Sequence, residues 1–402
     1  MKYVIILGDG MADLPCPELN GKTPLQAANC PVFDQIAQKG RVGLAKNVPE
    51  AYLPGSDVAN LSVMGYDPSR YYTGRSPLEA VSMGIDMQEN DMAFRCNLVT
   101  LSAPIGSPDC RMEDYSAGEI SSADAKVLIE AIQEKLGEKH KNFYPGVSYR
   151  HLLVWKNAPS QVEFTPPHDF SKQLVTEQNL PQGDDAEIFL QMLKQSWEIL
   201  HQHPINQKRM AQGLNPANSL WFWGAGQKPF LPDFQQEYGL QGGIISAVDL
   251  LKGIGICAGM QVLEVPGITG NIHTNFAGKA QAAIAALQAG LDLVYLHVEA
   301  PDEAGHQGNL DLKIQAIEAI DQQIAAPILE YLESQGDYRL LVLPDHPTPV
   351  SLLTHTRDPI PFALCGRNIQ PDLAQQYDES TAAASGLFLE EGFRLMGKFV
   401  QS

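Results

Sequence analysis

Asp9, Asp302, His306, Asp345, His346 and His355 are the residues of this chain whose types and spacing suit metal-ion chemistry. Carboxylate oxygen and imidazole nitrogen together suit manganese, zinc, iron or magnesium. Asp302 and His306 are four apart in Pro301-Asp302-Glu303-Ala304-Gly305-His306, so one helical turn or a tight loop can aim both at one ion. Asp345 and His346 are adjacent and point apart unless their loop bends around a site. His355 follows after Ser351-Leu352-Leu353-Thr354, so three of the ten histidines fall in these two segments. A lone Asp after a strand is commonly a helix cap or turn former, and a lone His is more often simply packed. Acids at three strand ends, two of them with nearby histidines, form a joint pattern. It reads as a metal site and leaves the reaction open.

Ser56 is the hydroxyl in a second pattern, Leu53-Pro54-Gly55-Ser56-Asp57-Val58-Ala59-Asn60. The Pro-Gly turn delivers Ser56 to the start of a helix expected over 57–64. There the helix dipole and free backbone N–H groups favour an anion, so a serine alkoxide or phosphoserine is stabilised. From these residues alone, a serine that merely caps the helix is the plainer reading. No Gly-x-x-x-x-Gly-Lys-Ser/Thr loop occurs, which disfavours a P-loop kinase.

Short apolar runs must hold these residues in place. Residues 3–7, 293–298 and 340–343, and more weakly 360–364, read as buried parallel strands. The first ends in Gly8-Asp9-Gly10, the second leads through Glu299 to Asp302 and His306, and the third ends in Pro344-Asp345-His346. In an open α/β sheet, ligands bind outside the carboxyl ends of the strands, so these residues should converge on one rim. Helices lie between the strands. One spans 279–289 and stops at Gly290, a natural C-cap. Another spans 311–332, with Ile314, Ile317, Ile320 and Ile324 at helical spacing. Alternating strand and helix predict a doubly wound sheet flanked by helices. The middle differs, with helices over 121–136 and 186–201, strands over 151–155 and 219–223, and Pro-rich loops such as Thr165-Pro166-Pro167. It reads as a smaller inserted α/β domain bounded near residues 86 and 227.

The 402 residues, 44% hydrophobic, are ample for a large core and favour two domains. The formal net charge of −19, with no Lys/Arg-dense run, speaks against a nucleic-acid partner. The same charge would repel a phosphorylated substrate, so such a substrate needs local positive charge, and bound metal ions are the obvious source. Most of the acid simply serves solubility. Six cysteines without a C-x-x-C pair make neither a disulfide framework nor a thiolate zinc site, and fit free thiols in a reducing cytoplasm. The first apolar run stops at Asp9, too short for a signal peptide. No later run could span a bilayer, so a cytoplasmic protein with no membrane partner is expected.

Over most of its length the chain resembles the archaeal-type, cofactor-independent phosphoglycerate mutase family of the alkaline-phosphatase superfamily, including its proposed homoserine kinase branch. The segments that carry the resemblance are GSDVANLSVMGYDPSRYYTGRSPLEA, AFRCNLVT, SYRHLLV, ISAVDLLKGIG, VPGITG, HVEAPDEAGH and PDHPTPVSLLTH with TRDPIPF. It implies an alkaline-phosphatase-like core from 1–85 and 228–402, with 86–227 as a substrate domain that closes a cleft over the site. It also implies a phosphoserine on Ser56 and two divalent metal ions. Asp9, Ser56, Asp345 and His346 would hold one ion, and Asp302, His306 and His355 the other. Ligand type and resemblance favour manganese, with zinc or magnesium as alternatives. The substrate would be a phosphoglycerate, gripped by arginines among which Arg75 and Arg150 lie in strongly matching segments, with Arg95, Arg111 and Lys252 as further candidates.

The chain departs from the family pattern at three places. Glu113-Asp114-Tyr115 stands where an Asp-Arg pair is expected. Trp223 and Gln227 stand where arginines are expected. Gly270-Asn271-Ile272-His273-Thr274 replaces a glycine-aromatic-Asp-Thr run. Arginine forks bind carboxylate and phosphate bidentately, so these losses bear on substrate grip. They favour a rival, a hydrolase or phosphotransferase acting on another phosphate ester, with homoserine as an acceptor. A non-catalytic binding protein is opposed by the intact set of ligand and nucleophile positions. The oligomeric state has no signature in the sequence.

Overall fold

Continuous apolar runs without alternation mark strands covered on both faces, and here they become the centre of a sheet. The computed structural model describes residues 1–88 and 90–401. Its strands are β1 (Lys2–Gly8), β2 (Gly40–Ala45), β3 (Asp91–Leu101), β4 (Met112–Asp114), β5 (Lys141–Tyr144), β6 (Arg150–Lys156), β7 (Ser219–Gln227), β8 (Gly242–Ile245), β9 (Gln261–Val262), β10 (Leu293–Val298), β11 (Tyr338–Leu343), β12 (Ile360–Gly366) and β13 (Phe388–Leu389). With the helices they make a mixed α/β protein with two sheets. The chain separates into two compact units, one of residues 1–72 with the chain from Phe230 on, the other of Thr73–Pro229.

The first unit holds an eight-stranded sheet in the order β13-β2-β12-β11-β1-β10-β8-β9. β1 lies between β10 and β11 and is parallel to both, with Leu7 opposite His297 on one side and Leu343 on the other. All three strands therefore end at the same edge. The segment 360–364, expected to run parallel, does not: β12 is antiparallel to both β11 and β2. A parallel return needs a crossover to the far end of the sheet. Loop 344–359 makes none, so the chain re-enters from the edge it left, and Asp345, His346 and His355 stay there.

One face of this sheet packs Val4, Ile6, Val294 and Leu296 against Ile317, Ile320 and Ile324. The helical pattern over 311–332 becomes Leu310–Ile320, a π-helical turn Asp321–Ala325, and Ala326–Gln335. Ile314 is only half-buried, whereas Lys313 is 0% exposed. The Lys313 ammonium donates to Asp13 Oδ2 at 2.7 Å, Thr348 O at 2.8 Å and Ala12 O at 3.1 Å, which uses all of its protons. It ties the helix to the segments that come after β1 and β11. Replacing it leaves the buried Asp13 carboxylate uncompensated. Lys313→Met is expected to lower unfolding free energy by about 3–5 kcal/mol. A urea midpoint that does not move would refute this, and Asp13→Asn in the same chain should recover part of the loss.

The second unit is built on β3, which pairs antiparallel with β6 and with β7, while β4 and β5 extend the sheet. Its faces follow the alternation of the strands. Phe94 and Leu153 join the cluster beneath helices Ser122–Leu136 and Ala186–Leu200. Ala93, Leu152 and Val154 face the other way and meet Ala80 and Met87. Helix Ser76–Ser82 therefore belongs to this unit, which begins at Thr73 rather than near residue 86. Among the described residues no helix is long and apolar enough to cross a membrane. Cys16, Cys30, Cys96, Cys110 and Cys365 are free thiols and buried, and Cys257 is partly buried.

Candidate metal centre

The strand ends of the first unit place the acids. Asp9 comes directly after β1, and its amide donates to Val298 O at 2.9 Å. Gly10 is next with φ +60, and a Cβ there would lie 2.5 Å from Thr348 Oγ1 and 2.6 Å from Asp302 Oδ1. Only glycine fits so close to a carboxylate in that conformation. Asp302 and His306 lie on helix Ala300–His306, opened by Pro301, and one turn brings His306 Nε2 to 3.3 Å from Asp302 Oδ2. Loop 344–359 bends around the same place. The amides of Gly10 and His346 both donate to Asp345 Oδ1, and Asn47 Nδ2 holds the Asp345 carbonyl at 2.8 Å. His355 Nε2 comes within 3.4 Å of Asp302 Oδ1 and 2.9 Å of His306 Nε2.

Ser56 opens helix Ser56–Val63, with Gly55 at its N-cap, and its Oγ lies 3.3 Å from His346 Nε2. One turn later, Asn60 Nδ2 donates to Ser56 O and to Asp345 Oδ2, both at 2.8 Å, while Tyr295 OH donates to Asn60 Oδ1 at 2.6 Å. Thr348 Oγ1 donates to Asp302 Oδ1. The seven sequence candidates of this group are thus neighbours.

Among the described residues, two groups each bring their ligand atoms within 4.8 Å of one another: Asp9, Asp345 and His346, and Asp302, His346 and His355. His346 is common to both. His306 stands outside both sets and touches Asp302 and His355. Asp9 is 1% exposed, and its Oδ1 has no hydrogen-bond partner. Burial, then the carboxylates of Asp345, Asp302 and Glu299, push its carboxyl well above the ordinary range. Burial pushes Asp302 up too, but hydrogen bonds from His306 and His355 outweigh it and hold it well below the ordinary range. The bond to Asp302 in turn raises His306 to about 9. A buried, unpartnered carboxylate oxygen crowded by further acids and imidazoles is a donor set that a divalent cation fits.

Sequence reasoning passed over Asn60, Tyr295, Thr348 and His297, whose Nε2 is 2.8 Å from Asp9 Oδ2. Signals for some of them existed. Asn60 is four residues after Ser56 on a helix, and Tyr295 and His297 are polar residues at alternate positions of an otherwise apolar strand.

The second unit carries a cationic group of its own. Arg75 Nε and Arg95 Nη2 reach the same oxygen, Glu79 Oε1, at 3.0 and 3.1 Å. Burial pushes Glu79 up, but the charges of Arg95, Arg75 and Arg150 outweigh it and hold it below the ordinary range. Arg95 itself falls to about 10, through burial first, opposed by Glu79 and assisted by Arg75 and Arg150. Its guanidinium lies 4.8 Å from the ring centroid of Trp223, whose Nε1 donates to Asn97 Oδ1. Trp223, found where an arginine was expected, thus stacks on Arg95. Asp114 is a turn-forming acid that accepts from the amides of Ser116 and Gly118 and from Asn215. Arg111 is exposed, and Lys252, in the other unit, is 3.9 Å from Glu264.

Residues 37–206 match the family model described as PhosphMutase, 2,3-bisphosphoglycerate-independent phosphoglycerate mutase. The chain is 53% identical to a probable 2,3-bisphosphoglycerate-independent phosphoglycerate mutase of Geobacter sulfurreducens, over 98% of each chain. It is 50% identical to the 2,3-bisphosphoglycerate-independent phosphoglycerate mutase of Methanosarcina acetivorans, over 100% of each. Among solved structures, the cofactor-independent phosphoglycerate mutase from Thermoplasma acidophilum is 28% identical with TM-score 0.67, covering 100% of this chain and 99% of that one. A Pyrococcus horikoshii protein is also 28% identical, with TM-score 0.82 over 99% of this chain and 96% of its own.

Proposed function

The chain belongs to the 2,3-bisphosphoglycerate-independent phosphoglycerate mutase family, and on that premise we propose that it interconverts 3- and 2-phosphoglycerate through a phosphoserine on Ser56. The observation that carries this reading is the 3.3 Å approach of Ser56 Oγ to His346 Nε2, the imidazole common to both ligand sets. Asp9, Ser56, Asp345 and His346 would hold one divalent ion, and Asp302, His306 and His355 the other. Manganese is our choice, and zinc or magnesium would suit the same donors. Bound there, such ions lower the pKa of a ligating hydroxyl and offset charge on phosphoryl oxygens.

Ser56 Oγ attacks the phosphorus of the 3-phospho group. The bond from phosphorus to the C3 oxygen breaks, and that oxygen takes up a proton equivalent to the one Ser56 gave up. The neighbouring C2 hydroxyl then attacks the phosphorus on Ser56. The Oγ–P bond breaks, the proton balance is restored, and no atom is gained or lost. Helix Ser56–Val63 begins at the phosphorylated residue, so its dipole favours the added charge. Water must be kept from the phosphoserine, since the same displacement by water releases phosphate.

The excess positive charge around Glu79 suits the anionic ends of the substrate, and we assign Arg75 and Arg150 to substrate binding. Arg75→Ala and Arg150→Ala are each expected to raise KM for 3-phosphoglycerate by about 10- to 100-fold, the worth of a charged hydrogen bond, with bound metal unchanged. The assay is turnover of 3-phosphoglycerate with Mn2+, coupled to enolase. An unchanged KM would remove these arginines from the role. Phosphate release without 2-phosphoglycerate would overturn the mutase reading and move the search to other acceptors, homoserine first.

A further inference from the structure

Asp9 is held by a relay that none of the proposed ligands provides. His297 lies on β10 directly opposite Leu7 of β1, two residues before Asp9. It is 0% exposed. Its Nε2 is 2.8 Å from Asp9 Oδ2, and its Nδ1 is 3.1 Å from Ser246 Oγ. Ser246 lies immediately after β8, the strand on the other side of β10. Three neighbouring strands thus supply one member each.

The groups around this relay point to one set of hydrogen-bond directions. The Val248 amide donates to Ser246 Oγ at 3.0 Å and takes one of its acceptor positions, and the hydroxyl has one proton to give. Nδ1 at 3.1 Å is its nearer acceptor, with Val248 O at 3.5 Å. With Nδ1 accepting from the nearer hydroxyl, the imidazole is the neutral tautomer that carries its proton on Nε2. That proton goes to Asp9 Oδ2. Lys279 Nζ, also buried, donates to the His297 carbonyl at 2.7 Å and fixes the strand end that carries the ring.

The result is an asymmetric carboxylate. Oδ2 is engaged, while Oδ1 has no hydrogen-bond partner and lies 3.5 Å from Nε2 of His346, which shares a ligand set with Asp9. We propose that His297, its tautomer set by Ser246, is a positioning residue that fixes the Asp9 carboxylate and presents Oδ1 alone to the metal. A ligand held this way loses less freedom when an ion arrives, and the hydrogen bond on Oδ2 blocks bidentate binding. Partners of this kind are commonly worth about 10- to 100-fold in metal affinity. The inference rests on the reading of Asp9 as a ligand.

The test is Mn2+ binding to the metal-stripped full chain, with free ion counted by electron paramagnetic resonance and no substrate present. His297→Leu should weaken one class of site by about 10- to 100-fold and leave the other unchanged. His297→Gln, whose amide nitrogen reaches the place of Nε2, should restore most of the loss. Ser246→Ala frees the tautomer and should fall between wild type and His297→Leu. It is also the variant to read should His297→Leu fail to fold. Unchanged affinity in a folded His297→Leu or in Ser246→Ala, or a Gln variant no better than Leu, would overturn the inference. A wild-type chain that binds no Mn2+ would overturn the ligand assignment beneath it.

Discussion

Ser56→Ala is expected to lower kcat by at least about 10⁴-fold, the scale seen when a covalent nucleophile is removed, while the protein stays folded and, at saturating Mn2+, still takes up metal through the remaining ligands. Alanine is well tolerated at the start of a helix, and the cap of helix Ser56–Val63 is Gly55, not Ser56. The substitution removes one part-buried contact, Ser56 Oγ to His346 Nε2, worth about 1 kcal/mol. A stability loss that small cannot account for a rate loss that large. The enolase-coupled rate, thermal melting and Mn2+ content of the variant separate the two. A folded, metal-replete Ser56→Ala that still turns over would show that the phosphoryl group rests elsewhere.

Removal of divalent ions is the second large effect. Chelation should abolish turnover, and Mn2+ should restore it. The buried acids explain why the stripped protein also loses stability. Asp9 is pushed well up by burial and by the carboxylates around it, so without a cation the centre takes up protons. At a hundredfold excess over Kd, an ion that binds only the folded chain adds about 2.7 kcal/mol. Its affinity should depend on pH in a definite direction. His306 is raised to about 9 by Asp302, and an ion must displace that proton to use the ring. Affinity should therefore climb as pH rises from about 6 towards 9 and fall as pH drops. Activity that survives exhaustive chelation, or Mn2+ affinity that falls with rising pH in this window, would contradict the assignment. The metal-stripped chain should also melt earlier than the replete one.

Residues 3–7, 293–298 and 340–343 could be recognised as central strands because burial on both faces leaves its mark locally, in unbroken apolar runs. The acids and histidines just after those runs were legible for the same reason, since parallel neighbouring strands deliver their C-terminal loops to one edge. β3 was not legible as a strand. Its run includes Arg95 and Asn97, whose burial is made possible by partners on helix Ser76–Ser82, on β7 and at Tyr115. Those partners are distant in sequence. Helix Ser76–Ser82 looked like the end of the first unit, yet it packs on strands that come later in the chain.

The sequence by itself determined which residues could bind an ion, that Ser56 sits at a turn opening a helix, and that most of the large sheet is parallel. Only the tertiary structure decided that β12 runs back antiparallel, that His346 serves both ligand sets, and that Asn60, Thr348 and His297 orient the acids. The reason is physical. Periodicity along a chain reports which side of an element is buried, because burial acts on each residue separately. Which side chain lies opposite is set by strand order and loop path, and a hydrogen bond such as His297 to Asp9, between residues 288 apart, leaves no local trace.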